Sequence, residues 1–174
     1  MNRHPGGEEH TRHLLELSAL PKGTKILDMG AGAGEALQQM RAAGYDALGI
    51  DLHPRSEAVL KGDFLQTGFP DGSFDGVLSQ CAFALSGNPA GAVREAHRLL
   101  KPGGVLMLSD VFFEDPALPG FRMLSCEDMT PVWRDYVLDA LWREDCGENC
   151  LPRGKCRYLS LIAVKEEENQ NGFT

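Results

Sequence analysis

The stretch KILDMGAGAGEAL, Lys25–Leu37, reads as a strand, a tight turn and the start of a helix. Lys25 to Met29 is a mostly apolar run with strand character, and Asp28 stands near its carboxyl end. Gly30, Gly32 and Gly34 follow on alternate positions, and helix formers then continue to about Ala43, where Gly44 supplies a C-cap. Glycine lets a ligand come close to the main chain, and the first turn of a helix offers N–H groups that the helix itself does not use. A nucleoside-type ligand is therefore expected at this turn. A dinucleotide fits it poorly. The fingerprint G-x-G-x-x-G/A needs a small residue five positions after the first glycine, and here that position is Glu35, a carboxylate beside the place of a pyrophosphate.

Working outward, an amphipathic helix is expected from about Glu8 to Leu20, with Leu14, Leu15, Leu17 and Leu20 as its apolar positions. YDALGID forms a second strand ending at Asp51, AVLKGD a third ending at Asp63, and GVLSQ a fourth ending at Gln80. Asn88 and Pro89 cap and open a helix that runs to about Leu100. KPGG breaks it, and VLMLSDVFF is a nearly continuous apolar strand of the kind found in parallel sheets covered on both faces. FRMLSCEDM, a helix from Pro131 to about Trp142 capped by Thr130, and the strand YLSLIAVK complete the order. Strand and helix alternating over the first 113 residues predict an α/β fold, a doubly wound, mostly parallel sheet. In such sheets a ligand sits beyond the carboxyl ends of the strands, where Asp28, Asp51, Asp63, Gln80 and Asp110 all fall.

In these residues the sequence resembles the class I, Rossmann-like S-adenosylmethionine-dependent methyltransferases, in particular the type 11, menaquinone-biosynthesis-like subgroup. The family's pattern of an acidic residue, one intervening position and G-x-G-x-G appears as Asp28 to Gly34. FPDGSFDGVLSQCAF and REAHRLLKPGGVLMLSD resemble its fourth strand, following helix and fifth strand. The resemblance implies that Asp28, Gly30, Ala31, Gly32 and Gly34 line the cofactor site. It further implies that Asp51 binds both ribose hydroxyls, that Leu52 lies against the adenine, that Asp63 and Phe64 meet the adenine edge, and that Gln80 completes the set. Cys81, Phe83 and Asp110 are expected on the acceptor side. No catalytic base is assigned. His53, His97 and Asp110 are the candidates for proton transfer, and Cys81 reads as a small buried residue rather than a nucleophile. The signature N/D-P-P-Y/F of many amino-group methyltransferases is absent, SQCAF standing in its place.

The expected activity is methyl transfer from S-adenosyl-L-methionine to a small-molecule acceptor. The alternatives are a protein of the same fold that binds the donor or its product without turnover, and, more remotely, a nucleotide-dependent oxidoreductase. A net charge of -8 argues against a broad electrostatic grip on nucleic acid or an anionic membrane. The first residues show no leader pattern and no window is long and apolar enough to span a bilayer, so a cytoplasmic protein is expected. Cys146, Cys150 and Cys156 cluster in CGENCLPRGKC as weak metal candidates; cysteine trios also serve methyltransferases that act on arsenite, and that likeness implies arsenite as an acceptor, although the cysteines here lie late and clustered where that family's are dispersed. The spacing matches no zinc motif, so no resident metal is expected.

One methyltransferase domain over 1–174 is expected, with an N-terminal helix (1–24), a cofactor-binding core (25–113), an acceptor-side part (114–166) and a frayed tail (167–174). Two crossovers look short. Only EDPALPG separates the fifth and sixth strands, and a stub joins the second and third, where parallel neighbours ordinarily need a dozen or more residues. Either two covering helices are lost, which would leave an apolar sheet face open and favour a partner or homodimer, or segments of the natural chain are missing here.

Overall fold

The computed structural model describes residues 4–142 and 154–167, except the side chain of Trp142. Their element order is α1 (Gly7–Ser18), β1 (Lys25–Met29), α2 (Glu35–Ala42), β2 (Asp46–Asp51), β3 (Leu60–Lys61), β4 (Phe74–Gln80), α3 (Pro89–Leu99), β5 (Leu100–Phe112), β6 (Phe121–Asp128), α4 (Thr130–Trp142) and β7 (Arg157–Lys165). The strands form one sheet in the order β3-β2-β1-β4-β5-β7-β6, parallel from β3 to β5 and antiparallel at both edges of β7. The doubly wound α/β expectation holds.

Alternation along the strands divides the core. Ile26, Val105, Met107 and Ile162 face α1 and α2, where Leu14, Leu15, Leu37 and Met40 are buried. Leu27, Met29, Leu106 and Leu108 face the opposite side, where α3 contributes Val93, Ala96 and Leu99. β1 and β5 are thus covered on both faces, which is why their sequences carry so few polar residues. The N-cap of α3 is Asn88, whose side-chain oxygen accepts from Gly91 N at 2.9 Å. α3 ends at Leu99, just ahead of KPGG as expected, but KPGG is not a loop. It lies within β5, against a register shift between Phe74 and Gly76 of β4. β3 is only two residues long, much shorter than AVLKGD.

The short crossover after β5 has a geometric explanation. β6 runs parallel to β5 but does not neighbour it, because β7 lies between them. Phe112 ends β5 opposite Arg157, and Phe121 opens β6 opposite Lys165, so the connection must return along β7 by eight residue steps, roughly 26 Å. Nine extended steps from Phe112 to Phe121 span about 31 Å, enough to cover that length and step sideways over one strand. A helix at about 1.5 Å per residue would need roughly twice as many residues. The expected open face is therefore closed here by an extended strap. Leu118 and Phe121 pack into the core on the α3 side, and Phe121 meets the His97 ring edge-on at 5.2 Å.

Candidate cofactor and acceptor cleft

A cleft of about 1010 Å3 opens over the carboxyl ends of β1, β2, β4 and β5, with α4 along one side. Its floor is the glycine turn. Gly30 N and Ala31 N donate to Ile50 O at 2.9 and 3.1 Å, which fixes the turn to β2. Gly30 has φ 92°, and a Cβ there would lie 2.3 Å from the Ala82 Cβ, so both the conformation and the packing require glycine. Asp51, at the end of β2, is half-exposed and lines the cleft. Its Oδ2 accepts from Gly32 N at 2.9 Å and its Oδ1 from His53 N at 2.8 Å. Each oxygen retains a lone pair for a ligand, and the two main-chain bonds hold the carboxylate in one orientation.

Asp28 is 4% exposed, and its carboxyl is pushed up to about 7, chiefly by burial and further by the Asp51 charge. Leu52 is 49% exposed at the cleft wall and supplies an apolar flank. Asp63 Oδ1 accepts from Leu65 N at 2.8 Å, closing the turn that brings Asp63 to the wall. Phe64 touches the cleft but is mostly buried, its ring 5.7 Å from that of Phe83. Phe83 itself is 1% exposed and belongs to the core. The aromatic expected on the acceptor side therefore supports Phe64 from behind instead of facing the cleft.

The end of β4 is tied to α1. Gln80 Oε1 accepts from Thr11 Oγ1 at 3.0 Å, and its amide nitrogen lies 3.4 Å from His4 Nδ1. Cys81 sits in the left-handed region with φ 57°, its sulfur 3.1 Å from the Tyr158 hydroxyl. Burial pushes its thiol up to about 12, so the group is neutral and not a nucleophile at ordinary pH, in line with the structural role read from the sequence. Asp110 is 3% exposed. Its Oδ2 accepts from Ala84 N at 3.0 Å and its Oδ1 from Val111 N at 2.8 Å, so it anchors the loop after β4. Burial raises its pKa, and these main-chain bonds oppose the rise. Of the other proton-transfer candidates, His53 lines the cleft, whereas His97 lies away from it against the strap.

Several cleft residues carried no signal in the sequence. His4 and Pro5 precede α1, and Arg55 leans over the glycine turn, its main-chain N–H donating to Gly32 O at 2.9 Å. The far wall consists of Leu85, Val111 and Phe113 together with Trp133, Tyr136, Val137 and Ala140 of α4. The i, i+3, i+4, i+7 spacing of those four residues marks one helix face, but spacing alone does not separate a core stripe from a ligand wall. Cys146 and Cys150 lie outside the described residues. Cys156 is half-buried and does not line the cleft, and the described residues contain no group of three metal-ligating side chains. No described helix is long and apolar enough to cross a membrane.

A family model described as a methyltransferase domain, Methyltransf_11, matches residues 27–108. The arsenite methyltransferase of Aquipseudomonas alcaligenes is 34% identical over 123 residues, covering 56% of this chain and 36% of that protein. The demethylmenaquinone methyltransferase of Corynebacterium kroppenstedtii is 27% identical over 127 residues, covering 68% and 51%. The chain thus spans about half or less of the length of these curated relatives. Among solved structures, Haemonchus contortus phosphoethanolamine N-methyltransferase 2 in complex with S-adenosyl-L-methionine superposes with a TM-score of 0.72 at 20% identity, over 94% of this chain and 54% of that one. The glycine turn, the strand-end carboxylates and the sheet order all lie within or around the matched segment: residues 27–108 match a methyltransferase domain, and the fold is shared with a solved methyltransferase that holds S-adenosyl-L-methionine.

Proposed function

We propose that this protein binds S-adenosylmethionine in the cleft and transfers its methyl group to a small-molecule acceptor. The observation that carries this reading is the Asp51 carboxylate, oriented by Gly32 N and His53 N beside the glycine turn. A fixed two-oxygen acceptor suits a ribose diol. Leu52 offers an apolar surface to a purine, and Asp63 an acceptor for its amino group. The residues also fit the charge. Asp28, Glu35, Asp51 and Asp63 make the cofactor half acidic, which suits a cationic nucleoside and disfavours a pyrophosphate. When bound, S-adenosylmethionine supplies an electrophilic methyl group on a sulfonium that leaves as a neutral thioether.

The chain's own part is alignment and exclusion of water. The β4 end, held by Thr11 and His4 through Gln80, forms the boundary between the cofactor and acceptor halves, and Asp110 holds the following loop at that boundary. Calorimetric titration with S-adenosylmethionine and S-adenosylhomocysteine tests the reading. Micromolar binding that falls on the order of a hundredfold or more in Asp51→Ala is the expected result, since two hydrogen bonds to a charged group are removed. Failure of the folded wild-type protein to bind either ligand overturns it. A trivalent arsenic acceptor is a second reading, favoured by the named relative and by the Cys146, Cys150 and Cys156 cluster. Methylation of arsenite that survives replacement of all three cysteines by serine removes the role given to that cluster.

A further inference from the structure

Beyond the cofactor half, the cleft continues between the loop after β4, the end of β5 and α4. We infer that this second half takes an uncharged, flat, apolar acceptor, an aromatic or conjugated ring bearing its nucleophile, and excludes acids, phosphorylated compounds and ammonium ions. The inference rests on the donor reading given above and names the acceptor class.

The wall itself is the first observation. Phe113 is 57% exposed and Leu85 84% exposed, yet both border the cleft, and Trp133 and Tyr136 remain only half-buried on the face of α4 that lines it. Side chains of a core stripe would be closed off from water, as Val137 of the same stripe is at 7%. Apolar and aromatic surface gathered around one concavity is the usual lining of a ligand site.

Charge is the second observation. Arg55, the sole Lys or Arg among the described cleft residues, stands over Gly32 in the cofactor half, so no described Lys or Arg would pair with a carboxylate or phosphate desolvated in the second half. The ionisable groups bordering that half are already committed. Asp110 is 3% exposed and takes the main-chain N–H groups of Ala82 and Phe83 as well as those of Ala84 and Val111, and the Cys81 sulfur faces the Tyr158 hydroxyl. His4 closes a ring of contacts with Thr11 and Gln80. A cationic acceptor within about 5 Å of the donor's sulfonium would lose affinity on the order of a hundredfold at an effective dielectric of about 20. The aromatic wall could return only about two- to thirtyfold through cation–π contact. A neutral ring meets neither penalty.

Three probes of one shape test this by calorimetry on the full chain saturated with sinefungin, a donor analogue whose ammonium keeps the positive charge of the sulfonium and transfers no methyl group: 2-naphthol, 2-naphthoate and 2-naphthylmethylammonium. The expected result is that naphthol binds at least tenfold more tightly than either ion. Phe113→Ser should weaken naphthol about tenfold while leaving sinefungin affinity within twofold. Phe113→Lys should raise naphthoate affinity at the expense of naphthol. Phe113 is exposed, so neither variant threatens the fold. Equal or tighter binding of an ion, no naphthol binding by protein that does bind sinefungin, or naphthol binding indifferent to Phe113 overturns the inference and leaves the donor reading intact. Protein that binds no sinefungin overturns the donor reading, and the inference with it.

Discussion

Replacing Asp28 by asparagine should stabilise the empty protein while damaging its site. Asp28 is 4% exposed, and burial together with the Asp51 charge lifts its carboxyl from the ordinary 3.8 to about 7. Between these two values the unfolded chain has released the proton and the folded chain still holds it, so stability falls as pH rises. At about 1.4 kcal/mol per pH unit the cost is about 0.6 kcal/mol at pH 4, about 1.6 kcal/mol at pH 5, and reaches a ceiling of about 4 kcal/mol above pH 7. Asparagine has nearly the same shape and never ionises, so Asp28→Asn should exceed the wild type by only about 0.6 kcal/mol in urea at pH 4. It should exceed the wild type by a few kcal/mol at pH 8. The same variant should bind S-adenosylmethionine more weakly, because a carboxylate facing a cationic ligand becomes a neutral amide. In the wild type, binding at pH 7 should release up to about half a proton, seen as a dependence of the calorimetric heat on the buffer's ionisation enthalpy. Equal or lower stability of Asp28→Asn at pH 8 refutes the reasoning, for then the carboxylate is not carrying a buried charge.

His10 sets an opposite slope. Burial first, then His4 and His13, hold its imidazole down to about 4 while its Nε2 lies 3.2 Å from Ser109 Oγ, so the folded state loses on the order of 3 kcal/mol as pH falls from 6.5 towards 4. His10→Gln should flatten that loss in urea midpoints compared at pH 7.5 and 4.5. Gly30→Ala places a Cβ 2.3 Å from that of Ala82 at φ 92°, and should cost at least ~2 kcal/mol in chemical denaturation and abolish S-adenosylhomocysteine binding. Arg98 joins Glu95, Phe69 O and Asp71 across the loop before β4, with Glu95 Oε1 at 2.7 Å and Phe69 O at 2.8 Å. Arg98→Ala should cost about 1–2 kcal/mol, more than an exposed pair would, because the Glu95 side chain is only 10% exposed.

The cofactor half was legible because its chemistry is local. A strand, a turn that only glycine can make and a carboxylate at the next strand end are each written in a few consecutive residues, so Asp51 and the turn lie together as their spacing implies. The acceptor half depends on packing across long separations. The stripe Trp133, Tyr136, Val137 and Ala140 has the periodicity of any half-buried helix, and only the path of α4 turns it towards the cleft. Thr130 shows the same limit. It reads as a helix cap, yet its Oγ1 accepts from Tyr158 N at 3.0 Å, while Asp128 Oδ1 takes the Thr130 N–H at 2.9 Å. His4 and Thr11 had no motif, and they meet Gln80 only because α1 lies over β4 and β5. Phe83 was misplaced for a similar reason. Its position after β4 suggested a cleft residue, but the left-handed turn at Cys81 leads into a loop whose aromatic side chain is buried.

The two short crossovers place side chains at the cleft and in the core without covering helices. After β2, residues 52–59 contribute Leu52, His53 and Arg55 to the cleft, while Val59 fills the space behind the turn. A Cβ on Gly34 would come within 3.2 Å of Val59 Cγ2, so the end of this stub and the start of α2 are mutually fitted. After β5, the strap begins at Phe113 in the acceptor wall and ends at Gly120, with φ 78°, where a Cβ would come within 2.5 Å of His97 Nε2. The strap therefore has little spare length and is fixed at its lower end by α3, with Phe121 against the same histidine ring. A crossover drawn this tight cannot shift its upper end independently, so the position of Phe113 follows from the packing of α3 on the sheet. The wall proposed for the acceptor is in this way set by the same core that holds the glycine turn, and a longer, helical connection would uncouple the two.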